Sequence, residues 1–138
     1  MLVREAMGSP LDTCGLDVTV AQVAKRMIQQ DHGAMPVAVH GFLVGIITER
    51  DILKSVGLGN DPELTTVNDL MTPDPDYLEP DVTVEDAADW MLAAGYRHLP
   101  VAEDGKILGI VSIKDVLWAL TGGTEGAVAG RSRNGNQT

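Results

Sequence analysis

Two short runs bring a hydroxyl, a cation and a carboxylate together: Thr48-Glu49-Arg50-Asp51 and Ser112-Ile113-Lys114-Asp115. In each, the hydroxyl and the carboxylate stand three residues apart. This is the spacing of a helix capping box, in which each side chain accepts an amide proton from the other residue's backbone. The same carboxylate can accept both protons of a vicinal diol, and the free amides at a helix start favour an anion. Spacing alone leaves both uses open, and one residue can serve both. Arg50 and Lys114 sit in the first helical turn, where a cation opposes the helix dipole. They are therefore candidates to hold an anionic group, with a solvated surface charge as the alternative. Arg97-His98, just ahead of Pro100, adds another cation and an imidazole.

The elements that must position these groups occur twice. Met7 matches Met71, Val18-Thr19-Val20 matches Val82-Thr83-Val84, and Pro36-Val37-Ala38 matches Pro100-Val101-Ala102, all at a constant offset of 64 residues. Gly45-Ile46 and Gly109-Ile110, then Asp51 and Asp115, keep the same offset, so the chain is an internal duplication. Thr19 and Thr83 cap a first helix in each copy. Val20, Val23, Ala24, Met27 and Ile28, repeated as Val84, Ala87, Ala88, Met91 and Leu92, follow the spacing of one buried face. Two apolar runs follow in each copy, 34–39 and 42–48, then 98–102 and 107–112. They are split by His40-Gly41 and by Glu103 to Lys106, and read as hairpins. A second helix starts near Asp51 or Asp115 and runs toward Gly57 or Gly122, glycines suited to a left-handed helix end. A short strand ahead of the first helix, 11–14 and 76–78, completes a β-α-β-β-α unit. Residues 1–56 and 67–120 are the two repeats, 57–66 a linker, and 121–138 a polar tail expected to be disordered.

Composition narrows the class. The formal charge is −10 with ten Lys and Arg in 138 residues, which excludes a broad nucleic-acid face and disfavours an anionic membrane surface. The single cysteine, Cys14, excludes an internal disulfide, and His32, His40 and His98 lack metal-ligand spacing, so no metal is expected. No acidic pair or nucleophile motif points to catalysis. No apolar stretch is long enough to span a bilayer, and a cytoplasmic setting is expected.

The matched runs, with Leu70-Met71-Thr72-Pro73, Met35-Pro36-Val37, Leu99-Pro100-Val101 and the two glycine-to-aspartate stretches 45–51 and 109–115, resemble the CBS (cystathionine-β-synthase-type) domain family. The resemblance runs from Val3 to Leu120. It implies an α/β (α+β) fold, in which two β-α-β-β-α repeats pack about a pseudo-twofold axis and leave two clefts for AMP, ADP, ATP or S-adenosyl ligands. By position it implies ribose contacts at Asp51 with Thr48 and at Asp115 with Ser112. Arg50, Lys114, Arg97 and His98 become the phosphate candidates. The base wall falls to Thr13 and Cys14, Tyr77 and Leu78, Met35 and Pro36, and Leu99 and Pro100. The resemblance further implies a stand-alone, non-catalytic sensor that requires no cofactor, forms a homodimer and acts on a regulated protein. A CBS-fold scaffold that binds no nucleotide is the competing reading.

Overall fold

The computed structural model describes residues 1–8 and 12–122, so Leu11 and residues 123–138 of the expected tail lie outside the described residues. The first helix of each copy forms where the Thr caps stand. Helix α2 (Val20–Gln30) opens on Thr19, whose hydroxyl accepts the Gln22 amide while the Gln22 side chain accepts the Thr19 amide. Its counterpart, α5 (Val84–Ala94), has only the forward half of the box, from the Asp86 amide to Thr83. Val20, Val23 and Met27, like Val84, Ala87, Ala88 and Met91, are buried as the periodicity requires. Ile28 and Leu92, expected on the same face, are 81% and 68% exposed. The buried stripe is thus narrower than the apolar pattern.

Each helix is followed by a hairpin: β1 (Ala34–Val39) with β2 (Phe42–Thr48), and β4 (His98–Glu103) with β5 (Lys106–Ser112). Both turn through two residues of positive φ, His40-Gly41 at 52° and 82° and Asp104-Gly105 at 53° and 81°. That is the type I′ geometry whose twist suits adjoining strands. The second turn is therefore two residues, with Glu103 and Lys106 paired in the strands. Each hairpin carries a bulge at the same place, Val37/Ala38 and Val101/Ala102.

The hairpin tips join the copies. The Leu43 amide donates to the Gly105 carbonyl at 2.9 Å and the Ile107 amide to the Gly41 carbonyl at 3.0 Å, each bond the 64-residue image of the other. Phe42 pairs with Lys106 between them, so the sheet runs β1-β2-β5-β4 across a pseudo-twofold axis. Helices α3 (Glu49–Gly57) and α6 (Ile113–Leu120) follow the hairpins. Gly122 ends α6 with φ 74°, whereas α3 closes through Leu58 and Gly59 (φ 86°) rather than at Gly57. The expected strands at 11–14 and 76–78 are single parallel bridges, Cys14 to Val37 and Leu78 to Val101.

The leading segment of each repeat packs on the other repeat. Helix α1 (Val3–Ala6) lies with the second copy: the Val3 amide donates to Val82 O at 2.8 Å, the Val84 amide to Met1 O at 3.0 Å, and Val3 is fully buried among Leu78, Met91, Leu99 and Val116. Helix α4 (Val67–Leu70) and β3 (Thr72–Pro73) lie with the first, and Val67 is buried beside Val23, Met35 and Ile47. Met7 lies over Gly109 and Met71 over Gly45, so close that a Cβ on either glycine would overlap the sulfur. This close approach is the reason for glycine at both places. The two aliphatic cores therefore cross the repeat boundaries.

Candidate functional site

Strand register brings the chemistry-bearing residues together. His98 pairs with Ser112 across the second hairpin, as Ala34 pairs with Thr48 across the first. At the strand-to-helix turns, the Glu49 amide donates to Gly33 O at 2.9 Å and the Ile113 amide to Arg97 O at 2.8 Å. Both capping boxes form. Asp115 Oδ2 accepts the Ser112 amide at 2.9 Å and Ser112 Oγ accepts the Asp115 amide at 3.0 Å. In the first copy, Asp51 Oδ2 accepts the Thr48 amide at 2.9 Å and the Thr48 hydroxyl at 3.0 Å. In each aspartate the cap uses Oδ2. Oδ1 makes no hydrogen bond among the described residues, so capping leaves an acceptor for a ligand hydroxyl.

One open cleft of about 1750 Å³ gathers Ser112, Asp115, Lys114, Arg97 and His98 from the second copy against His32, Gly33, Ala34, Glu49 and Asp12 from the first. A smaller cavity of about 360 Å³ also borders Asp115, together with Met1, Glu5 and Trp118. Thr48, Arg50 and Asp51 line neither cavity. A side chain on Gly33 would start 3.1 Å from His98 Cε1 and Nε2 and 3.3 Å from Glu49 Oε1. Hence the small Gly33-Ala34 stands where the second copy has Arg97-His98. Glu49, not singled out by spacing, belongs to the cleft, and its counterpart is the uncharged Ile113.

The two copies also differ beside the cleft. Arg26 pairs with Asp12 and donates to the Thr13 carbonyl at 2.7 Å. At the equivalent places Trp90 meets Tyr96 edge-on, with ring centroids 5.9 Å apart, and the Tyr96 hydroxyl donates to Asp76. The base-wall candidates separate by depth. Cys14, Leu78, Met35 and Leu99 belong to the aliphatic cores, and Pro36 and Pro100 are buried with them. The Cys14 and Leu78 amides are spent on Pro36 O and Pro100 O. Thr13 is half-buried, Tyr77 is exposed, and none of these eight lines the cleft. Burial pushes the Cys14 thiol up to about 11, Arg26 lowering and Asp12 raising it to lesser degrees, so the sulfur is a packed thiol rather than a nucleophile.

Burial lowers the His98 imidazole below its ordinary value; Glu49 and Asp115 oppose the shift, and Arg97 and His32 add to it. The unfolded chain then holds the proton more firmly than the folded one. Stability from the neutral ring is complete above about pH 6.5 and is lost as the pH falls through the depressed value. Wild-type protein is expected to lose more melting temperature between pH 7.5 and pH 5.5 than His98→Gln does. Equal losses in the two proteins would show that His98 does not titrate this way.

Among the described residues, no group of three or more His, Cys, Asp and Glu is arranged to hold a metal ion, and no helix is long and apolar enough to cross a membrane.

Comparison with known proteins matches the CBS domain twice, over residues 3–57 and 67–122. An uncharacterized 17.7 kDa protein of Acidianus ambivalens is 42% identical over 106 residues, which are 75% of this chain and 63% of that one. A CBS domain-containing protein of Bacillus subtilis is 31% identical over 115 residues, 83% of this chain and 81% of the other. Other relatives are much longer: in an Arabidopsis thaliana CBS domain-containing protein the match spans 21% of the length. A solved CBS domain pair in complex with 5′-methylthioadenosine and S-adenosyl-L-methionine superposes with a TM-score of 0.81 at 27% identity, covering 90% of this chain and 98% of that one. CBSX2 in complex with AMP superposes at 0.75 with 26% identity, over 88% and 96% of the respective chains.

Proposed function

The chain belongs to the CBS domain family as a tandem pair, and from that premise we propose that it is a regulatory, non-catalytic module that binds an adenosine-type ligand and signals to a protein partner. The observation that carries this reading is the convergence of Ser112, Asp115, Lys114, Arg97 and His98 on one open cleft between the copies. Asp115 Oδ1 and the Ser112 hydroxyl meet the ribose diol, and Arg97 and Lys114 meet an anionic group of the ligand's tail. Two solved relatives hold adenosine-type ligands, which supports the reading.

A thermal-shift panel of adenosine, AMP, ADP, ATP and S-adenosylmethionine tests it. A ligand present at 100 times its dissociation constant stabilises by about 2.7 kcal/mol, a shift of several degrees for a domain of this size. Flat melting curves across the panel would favour the competing scaffold reading.

We further propose that the module self-associates through its helices. Ile28 and Leu53 on the first copy are 81% and 73% exposed, and Leu92, Leu117 and Trp118 on the second are 68%, 49% and 51% exposed. Met27 and Met91, which share the apolar pattern of these helices, are buried in the cores and are not available for such a contact. Light scattering at micromolar concentration is expected to give the mass of a dimer or a larger assembly, and a strict monomer would refute the contact.

A further inference from the structure

The charges lining the cleft are not those a polyphosphate needs. Four carboxylates, Asp12, Asp31, Glu49 and Asp115, face two cations, Arg97 and Lys114. Arg26 neutralises Asp12, and Asp115 is committed to the ribose in the reading above. A carboxylate that accepts hydroxyl protons keeps its charge, so Asp31, Glu49 and Asp115 stand against Arg97 and Lys114, three negative groups and two positive. Burial disfavours the charged form of the His98 imidazole, so it adds little to the positive side. The chain as a whole carries −10, so the surrounding field also opposes an anion. The Glu49 amide donates to Gly33 O, which fixes its backbone at the turn, and its Oε1 lies beside Gly33, where the His98 ring also packs.

A mixed set of charges with a small negative excess suits a ligand that carries both signs and no net negative charge, whose carboxylate can meet Arg97 or Lys114 while an ammonium or sulfonium group meets Glu49. A triphosphate instead brings several like charges against Glu49. In a partly solvated cleft one such charge changes affinity by about tenfold. We propose that Glu49 is a specificity-determining residue, selecting an adenosine-type ligand with a zwitterionic or cationic 5′ tail, of the S-adenosylmethionine class, over a nucleoside polyphosphate. The proposal rests on the adenosine reading of the cleft.

Calorimetric titration of the full chain with S-adenosylmethionine, ATP and 5′-methylthioadenosine separates the two. The uncharged tail of methylthioadenosine makes its binding a measure of the adenosine site alone. S-adenosylmethionine is expected to bind wild-type protein about tenfold or more tightly than ATP, and Glu49→Gln is expected to narrow that ratio to about twofold. Glu49→Lys should invert it, and because Glu49 is exposed both variants should keep the wild-type circular dichroism spectrum. If none of the three ligands binds, the adenosine reading falls and the selection falls with it. If methylthioadenosine binds while ATP equals or exceeds S-adenosylmethionine, or if both Glu49 variants retain the wild-type ratio, the selective role of Glu49 alone is overturned.

Discussion

Asp115→Asn is expected to weaken adenosine binding by about 10- to 100-fold, whereas Asp51→Asn leaves the strongest binding event nearly unchanged. A hydrogen bond to a charged group contributes about 1.5–3 kcal/mol, which sets that range. The asymmetry comes from the tertiary arrangement. Both aspartates cap their helices alike through Oδ2, but only Asp115 borders the open cleft, opposite Gly33 and Ala34. Asparagine still offers an oxygen to the Ser112 amide, so the cap should survive and the loss should appear in binding rather than in melting temperature. Calorimetric titration of both variants with adenosine decides the matter: equal losses would mean that two equivalent sites operate.

Deleting residues 1–7 is expected to lower stability by about 4 kcal/mol and the melting temperature by about 10 °C or more. The segment is short, carries charges at Arg4 and Glu5, and precedes the first repeat's helix. In the fold it supplies the fully buried Val3 to the second copy's core and packs Ala6 and Met7 against it. Its removal also leaves the amide of Val84 without the Met1 carbonyl. The exposed Arg4–Asp81 ion pair adds little, since solvent screens it. Against a total stability of about 5–15 kcal/mol the loss is large. Thermal denaturation of the truncated chain reads it directly, and a fall of only a degree or two would show that α1 is not part of that core.

Local chemistry was legible in the sequence wherever neighbours along the chain decide the outcome. Thr19, Thr83, Thr48 and Ser112 cap helices because a hydroxyl three residues ahead of an amide meets it whatever surrounds the helix. His40-Gly41 and Asp104-Gly105 turn hairpins because their positive φ values match the twist of paired strands. The 64-residue offset also determined the pseudo-symmetry, since two copies of one unit expose complementary edges at their tips.

Only the tertiary structure decided which copy's residues share a core and which share a cleft. Sequence order assigns Val3 and Met7 to the first repeat and Val67 and Met71 to the second, yet each pair packs on the other repeat, Met7 against Gly109 and Met71 against Gly45. Ile28 and Leu92 obey the helical period and still face outward, because period marks a stripe and the partner surface sets its width. Glu49 carried no motif of its own, and the approach of His98 from the other copy made it part of the site. Duplication made Asp51 and Asp115 equal as a sequence. The tertiary arrangement made their surroundings unequal: Asp115 borders a cleft shared with Arg97, His98, Gly33 and Glu49, whereas Asp51 lines neither cavity, because such groupings depend on three-dimensional distance and not on spacing along the chain.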